Sequence, residues 1–347
     1  MHRPAESEVR IEEAGPHELA AALDVLLDAE PELAYANFAP IAARPGAAQA
    51  LHRRRWLARE EHVATLLARD GDGRPLAALR LEERPFESEH FGLRMARVER
   101  PLGMRDPALR LAALRPLYRA AFARLAELGF AHVAARASTR DRAAPWAIQE
   151  AGAFHVDTQV SWMCPLTGAP HDEQLPGRLR LEVHERESVC AVPRAAWKRL
   201  TEWAGIAFDR GPLVFDWTLD PRRAADVYRV WTERVMTGRW ADVVLLVRED
   251  DEVVAFISML HMPDVSEAAG TVVHGRGLGA TLPDYRGLFT AIQREMIARQ
   301  PAGARFMENE TQVATIGSIN VYAKLGFRYL RSTATFHRRL DGGRACA

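Results

Sequence analysis

Hydrophobic and polar positions in the first half of the chain change repeatedly between a helical period and a strand period. Spacings of three and four predict helices over 17–30 and 106–130, the second with Asp106 as its N-cap and Gly129 as its C-cap. Short apolar runs bounded by turn residues predict strands. These strands cover 62–70, 75–83, 95–103, 131–139 and 156–166, and a further helix is predicted over 141–154.

The second half repeats this order of elements. A helix at 220–238 is followed by a hairpin that turns at Asp250-Asp251. A glycine-rich strand at 269–282, a helix at 287–300, a strand at 305–314, a helix at 316–327 and a strand at 328–340 complete the series. Because both halves run helix, hairpin, strand, helix, strand, helix, strand, the pattern predicts an internal duplication and an α/β (α+β) fold. We expect a first domain over 1–166, a polar Pro/Gly-rich linker over 167–180 and a second domain over 181–347.

Composition narrows the class of protein. The chain has 46 basic and 46 acidic residues among 347, a balance that argues against binding to nucleic acid or to a membrane surface. Its three cysteines are far apart, which predicts a reducing compartment and no metal site. The start of the sequence lacks an apolar signal region, and no apolar run is long enough to span a bilayer. A cytoplasmic location is therefore expected.

The stretch "GLGATLPDYRGLFTAIQREM", residues 277–296, joins a strand to a helix through a turn that contains Arg286 and Gly287. The exposed amides and partial positive charge of a helix N-terminus make such a turn a natural anion site. The alternative is an ordinary connection in which Gly287 only satisfies the turn geometry. Gly275, Gly277 and Gly279 are dense for a strand, and they predict a bulge or a close backbone approach just before the turn.

Three stretches of the second half resemble the GCN5-related N-acetyltransferase (GNAT) superfamily: "VLLVREDDEVVAFISM", "ATLPDYRGLFTAI" and "VYAKLGFRYL". More narrowly, "FDRGPLVFDWTLD" and "TQVATIGSINVYAKLGF" are similar to the dTDP-fucosamine (dTDP-4-amino-4,6-dideoxygalactose) acetyltransferases, and "FESEHFGLRMARVE" resembles their small first domain. The resemblance implies two tandem GNAT-like domains, each with a mixed, mostly antiparallel central sheet flanked by helices. The first domain would be degenerate, because its turn lacks the glycine pattern, and the second would hold the acetyl-CoA site.

In that superfamily the pyrophosphate of coenzyme A lies on amides of a loop with the pattern R-x-x-G-x-G/A. Here "RGLFTA" supplies Arg286 and Ala291, but Phe289 occupies the first small position. In an alternative register Gly287 comes first, Phe289 second, and Asp284 stands where the arginine should be. The residues expected to bind the cofactor are Ala280, Thr281, Leu282, Arg286, Gly287, Leu288, Phe289 and Thr290.

The resemblance also implies catalytic residues. Tyr322 occupies the position of the tyrosine that protonates the leaving thiolate of coenzyme A, although a packing role beneath Phe327 is the alternative. Glu308 and Glu310 share one face of a strand and are the candidate general bases, with a solvated strand face as the alternative. His274 is a weaker candidate for the base.

Other positions are less well matched to the family. Thr315 stands where the family often has an asparagine that contacts the cofactor, and Asn320 lies at a different helical angle. Asp216 is the candidate substrate-binding residue, and Trp217, Trp231 and Trp240 are candidates for an aromatic wall of the acceptor site.

Two hypotheses for the function follow. The first is an acetyl-CoA-dependent N-acetyltransferase that acts on a small-molecule amine, with a dTDP-linked amino sugar as the narrower expectation and a homodimer as one expected assembly. The second is a non-catalytic tandem GNAT-like module that binds an acyl-CoA or a partner. Fold-level resemblance carries most of the first hypothesis, and the acceptor is not named by any residue pattern.

Overall fold

The computed structural model describes residues 9–58, 60–166, 175, 177–207, 210–275, 277–299 and 303–341. Most of the linker predicted at 167–180 lies outside these residues. The described part contains fourteen strands and twelve helices. The strands are β1 (Arg10–Glu13), β2 (His62–Arg69), β3 (Pro75–Glu83), β4 (Met95–Val98), β5 (Leu102–Gly103), β6 (His132–Ser138), β7 (Phe154–Pro165), β8 (Leu179–Glu185), β9 (Val243–Glu249), β10 (Glu252–His261), β11 (Val273–Gly275), β12 (Gly279–Thr281), β13 (Phe306–Gln312) and β14 (Arg328–Arg339).

The helices are α1 (Pro16–Ala29), α2 (Ala39–Ala42), α3 (Ala47–Leu57), α4 (Pro85–Phe91), α5 (Pro107–Glu127), α6 (Ala144–Glu150), α7 (Arg186–Val189), α8 (Arg194–Ala207), α9 (Pro221–Met236), α10 (Pro263–Ala269), α11 (Leu288–Arg299) and α12 (Ile316–Lys324). No helix in the described ranges is both long and apolar enough to cross a membrane.

The chain forms two compact units. The first unit consists of 1–159, 215–220 and 331–347, and the second consists of 160–214 and 221–330. These units are not cut at the positions expected from the sequence. The end of β14 belongs to the first unit, because 333–339 pair with β6. Strand β7 belongs to the second unit from Val160 onward.

The sheet of the first unit runs β1-β2-β3-β4-β6-β14. Its neighbours are antiparallel except β4 and β6, which are parallel between Met95↔His132 and Val98↔Ala135. Beyond Val98 the strand leaves β6, and β5 pairs with β3 alone. Helix α5 covers one face, and its buried residues include Leu114, Tyr118 and Phe122.

The sheet of the second unit follows the same plan, in the order β7-β13-β11-β10-β9-β8. Only β11 and β13 form a parallel pair among the pairings described for β8 to β13, and β12 pairs with β10 alone. The core lies between this sheet and helices that include α8 and α11, with Trp197, Phe256 and Met296 among its fully buried side chains. Each unit therefore has a mixed, mostly antiparallel sheet, as the family resemblance implied, and each sheet opens at one point.

Most elements match the sequence prediction closely. Asp106 caps α5 by accepting from the amides of Ala108 and Leu109. Gly129 lies one residue beyond the C-cap position, which Leu128 takes, and it has the left-handed φ of +79°. The single strands expected over 95–103 and 269–282 are each broken in two, and α10 ends at Ala269, the first residue of the latter segment.

Both units contain a short helix that the sequence analysis missed. It begins at a proline, has a serine three residues later and ends at a left-handed glycine, Gly92 in α4 and Gly270 in α10. In α4 the Ser88 hydroxyl accepts from the amide of Met95 at 2.9 Å. In α10 the Ser266 hydroxyl accepts from the amide of Val273, also at 2.9 Å. This repeated Pro-x-x-Ser-Glu-x-x-Gly segment is direct evidence for the internal duplication.

Candidate functional site

The candidate site lies in the second unit, where β12 separates from β13. The parallel pairing of β11 with β13 ends at Gly275↔Glu308, and a close backbone approach then follows. A Cβ atom on Gly277 would lie 1.6 Å from the carbonyl oxygen of Ser258, so only glycine fits there. Of the two predictions for the glycine-rich strand, a bulge or a close backbone approach, the close approach is observed.

The free edge of β12 faces this opening. Register pairs Phe256 with Ala280, while Leu282 donates its amide to the Val254 carbonyl and Ser258 donates to Leu278. In β12, the residues between these hydrogen-bonded positions direct their backbone groups away from β10. The amides of Gly279 and Thr281 therefore point to the opening, and the Thr281 carbonyl accepts from the indole of Trp203 at 3.0 Å.

The turn between β12 and α11 leaves three backbone amides without a partner in the described part of the chain. Gly287 has the left-handed φ of +82°, and its carbonyl accepts from the amides of both Thr290 and Ala291. Within the described residues, no hydrogen bond is made by the amides of Arg286, Gly287 or Phe289. Three free N–H groups at the start of a twelve-residue helix suit an anion.

Side chains around the turn brace it. Arg199 of α8 forms ion pairs with Asp284 in the turn and with Glu252 on β10. The Tyr285 hydroxyl donates to Glu249 at 2.5 Å. The Arg286 side chain is exposed, and it has no partner among the described residues.

Phe289, the residue that departs from the family pattern, points towards the opening. A Cβ atom on Gly279 would lie 3.4 Å from its ring, and the ring centroid lies 6.5 Å from that of Tyr322. Leu282, Leu288 and the buried Ala280 form the packed underside of the turn. The eight predicted cofactor-binding residues thus form one continuous strand-turn-helix unit.

Tyr322 is 6% exposed and lies among aromatic rings. Its ring centroid is 5.1 Å from that of Phe327 and 6.5 Å from that of Trp162. Burial raises the pKa of the phenol above its usual value, so the hydroxyl stays protonated at neutral pH. Since no hydrogen bond of this hydroxyl occurs in the described part of the chain, the packing role and a proton-donor role are both compatible with its position.

Glu308 and Glu310 lie on one face of β13, opposite the face on which Asn309 contacts Gln293 of α11. Glu308 is fully buried, so the alternative of a solvated strand face is wrong for this residue. Glu310 is half-buried and accepts from the Ser161 hydroxyl at 2.8 Å.

His274 is buried on β11, and its Nδ1 atom has no hydrogen-bond partner among the described residues. Burial lowers its pKa to about 4, so the ring is neutral at pH 7. Thr315 is the N-cap residue of α12 but makes no side-chain cap bond, and Asn320 is exposed. The ring of Trp231 packs against those of Tyr228 and Trp240.

Asp216, the predicted substrate-binding residue, belongs to the first unit and is 2% exposed. One carboxylate oxygen accepts from Thr218 Oγ1 and N at 2.6 and 2.8 Å. The other lies 2.7 Å from both His132 Nε2 and His337 Nδ1. Burial raises the Asp216 pKa, but the hydrogen bonds from the two histidines outweigh it and lower that pKa overall.

These three side chains form a group that could hold a metal ion. The hydrogen bonds already fill the usual four acceptor positions of the carboxylate, so both imidazole rings would have to turn for an ion to enter. Trp217 next to Asp216 stacks on Phe154 with ring centroids 3.9 Å apart. No spacing pattern in the sequence indicates this cluster, because its members come from three distant segments.

Solved structures resemble the described fold. A GCN5-related N-acetyltransferase from Sphaerobacter thermophilus matches 98% of this chain and 98% of its own chain, with a TM-score of 0.59 and 15% identity. A GCN5-related glucosamine N-acetyltransferase region of a fungal multi-domain GH3 β-N-acetylglucosaminidase matches 96% of this chain and 38% of its own, with a TM-score of 0.51 and 12% identity. A tandem GNAT protein of clavulanic acid biosynthesis matches 97% and 100% at 16% identity, but its TM-score of 0.49 is too low to support an argument.

No family model and no curated protein matches the sequence. The solved structures and the observed topology establish the fold class, which is that of two GNAT-like units. None of these comparisons supports the narrower resemblance to the dTDP-fucosamine acetyltransferases.

Proposed function

We propose that the protein is an acetyl-CoA-dependent N-acetyltransferase whose second unit binds the cofactor and acts on a small-molecule amine. The observation that carries this proposal is the set of three free amides at the start of α11, directly after a strand with a free edge. Such amides suit the pyrophosphate of coenzyme A. The exposed Arg286 would add a cationic contact, and the edge amides of β12 would orient the pantetheine arm and the thioester.

The reaction is an acyl transfer. The amine nitrogen attacks the thioester carbonyl carbon, the C–S bond breaks, and the amide and free coenzyme A are formed. Glu308 or Glu310 on β13 would take the proton from the amine, directly or through water. The Tyr322 hydroxyl would donate its hydrogen to the thiolate that develops, and burial keeps this phenol protonated at neutral pH, as a donor must be.

The tests start from thiol release measured with acetyl-CoA and a panel of amines that includes amino sugars and nucleotide-linked amino sugars. With an accepted amine, Tyr322→Phe should lower kcat by about 100-fold or more while the Kd of acetyl-CoA stays within about twofold. Equal losses in kcat and affinity would instead indicate a packing role for the ring. Phe327→Leu is a control for disturbed packing beside Tyr322.

The alternative function is a non-catalytic module that binds an acyl-CoA or a partner. The ring of Phe289 in the opening is the observation that favours it, because this side chain fills space next to Gly279 and Tyr322. Saturable acetyl-CoA binding without thiol release from any amine would support this alternative. We also propose a dTDP-linked amino sugar as the acceptor and a homodimer as the assembly.

A further inference from the structure

The first unit contains a cavity of about 220 Å³ at the point where its sheet opens. Its walls come from the connection between α1 and α2, the connection between β4 and β5, the start of α5 and the turn after β6. We call it the arginine cavity. Five arginines line it: Arg100, Arg105, Arg110, Arg140 and Arg142.

The floor of the arginine cavity is a buried ion-paired cluster. Arg110 is 4% exposed and donates to Glu30 Oε2 at 2.9 Å and to Asp141 Oδ2 at 2.7 Å. Glu30 also accepts from the amide of Gly103 at 3.0 Å. Because both carboxylates already have cationic or amide donors, the floor is a fixed polar surface rather than a set of free acids.

The rim carries the excess charge. Arg140 is paired with Glu32 at 2.7 Å. Arg105 and Arg142 are exposed, and neither forms an ion pair with any residue in the described ranges. With five arginines against Glu30, Glu32 and Asp141, the lining has an excess of positive charge. Guanidinium groups bind carboxylates and phosphates in a bidentate manner, so the rim is suited to an anion.

The ligand that suits the arginine cavity differs from the cofactor proposed for the second unit. The amides of Ala108 and Leu109 at the start of α5 already donate to Asp106, and that carboxylate would repel a pyrophosphate at the helix terminus. The volume is also below the roughly 300 Å³ at which pockets for drug-sized ligands begin. A coenzyme A molecule therefore does not suit the arginine cavity, whereas a small anion held by side chains does.

We propose that the arginine cavity of the first unit binds a small oxyanion ligand, a metabolite with carboxylate or phosphate groups held chiefly by Arg105 and Arg142. Carboxylate and phosphate groups both have the oxygen geometry that a guanidinium group recognises. The experiment below distinguishes a carboxylate ligand from a phosphate ligand. The binding site is independent of acetyl transfer in the second unit.

Isothermal titration of the full-length protein with inorganic phosphate and, separately, with citrate tests this proposal, in chloride buffer of constant ionic strength. The Arg105→Ala/Arg142→Ala double variant removes only exposed, unpaired side chains, so it should fold normally. Arg10→Ala/Arg74→Ala is the matched control, because it removes the same charge from exposed positions of the first unit.

We expect saturable binding of at least one anion, about tenfold or more weaker in the double variant and unchanged in the control. Preference for phosphate or for citrate identifies which group the ligand carries. The proposal is overturned if neither anion saturates by about 10 mM, where affinities would be too weak to be specific, or if the double variant and the control bind alike. Loss of acetyl-CoA affinity in the double variant alone would also overturn it, since the site would then serve the cofactor.

Discussion

At the scale of single residues, both oxygens of the Asp216 carboxylate are held by hydrogen bonds. It accepts four hydrogen bonds while almost fully buried, and two of them come from histidines on β6 and β14. An ionised carboxylate is stable in such a place only because its donors replace water completely. The segment 215–220 is thereby fixed to the sheet of the first unit.

Asp216→Asn should destabilise the protein by about 2–4 kcal/mol, because an amide would turn an N–H group towards donors on at least one side. Urea denaturation at pH 7 measures the change in the free energy of unfolding. Asp72→Asn, at an exposed turn position, is the control and should change stability by less than about 0.5 kcal/mol. A loss at Asp216 no larger than at Asp72 would contradict the hydrogen-bonded arrangement.

Conservative replacements distinguish a hydrogen-bonding role of the two histidines from a metal-binding role. His337→Asn keeps a donor near the position of Nδ1, so it should retain more stability than His337→Ala, by about 1 kcal/mol or more. If the group held an ion, both variants should lower stability only in the presence of that metal. Thermal unfolding with and without a chelator distinguishes these results.

At the scale of elements, the two serine-containing short helices show the duplication most clearly. Ser88 and Ser266 also return a hydrogen bond to the carbonyls of Met95 and Val273, at 3.4 and 3.3 Å. Each serine therefore holds the first residue of a central strand, Met95 of β4 or Val273 of β11. Further along each of these strands, the parallel pairing ends and the sheet opens. The same backbone conformation arises at corresponding positions in sequences that otherwise share little.

Ser88→Ala and Ser266→Ala should each destabilise the protein by about 1–2 kcal/mol, because each leaves a strand amide without its acceptor. Denaturant titration of the two variants should give similar losses. Glu89→Ala, at an exposed position on the same helix as Ser88, should be close to neutral. Losses that differ severalfold between the two serines would contradict their structural equivalence.

At the scale of the whole molecule, neutral histidines that are buried or half-buried predict sensitivity to acid. Burial lowers the pKa of His52, His274 and His337 to about 4 each, below the usual value of 6.5. Between pH 6.5 and 4 the unfolded chain binds protons that the folded chain does not, so stability falls as the pH falls through this range.

His52→Gln keeps a donor towards the Ala34 carbonyl, which lies 3.1 Å from His52 Nε2, and removes the titrating group. The stability of this variant should therefore fall less steeply than that of the natural protein between pH 6.5 and 4. Chemical denaturation at several pH values in this range measures both slopes. Parallel slopes would show that His52 does not titrate differently on folding.

Much of the fold could be predicted from the sequence because its long helices and paired strands carry strong periodic patterns. The strand β3 over 75–83 and the hairpin around Asp250 were predicted almost residue by residue. Helix α3 was missed because its stretch "AAQALHRRRWL" has no continuous apolar stripe, and only Ala48, Leu51 and Trp56 are buried.

The site was only partly predictable. The turn that is proposed to bind the cofactor is contiguous in sequence, so its glycine and arginine could be found by motif. The placement of the end of β14 in the first unit and the arginine cavity depend on contacts between distant segments, which a local pattern does not record. The roles of Tyr322, Glu308 and Glu310 rest on chemistry and remain predictions.

We propose that acetyl-CoA binds at the turn between β12 and α11. Isothermal titration of the full-length protein with acetyl-CoA tests it most directly, with Arg286→Ala as the test variant and the exposed Arg239→Ala as the control. We predict one saturable site in the natural protein, about tenfold weaker in Arg286→Ala and unchanged in Arg239→Ala. Absence of saturable binding, or equal affinity in all three proteins, would contradict the claim.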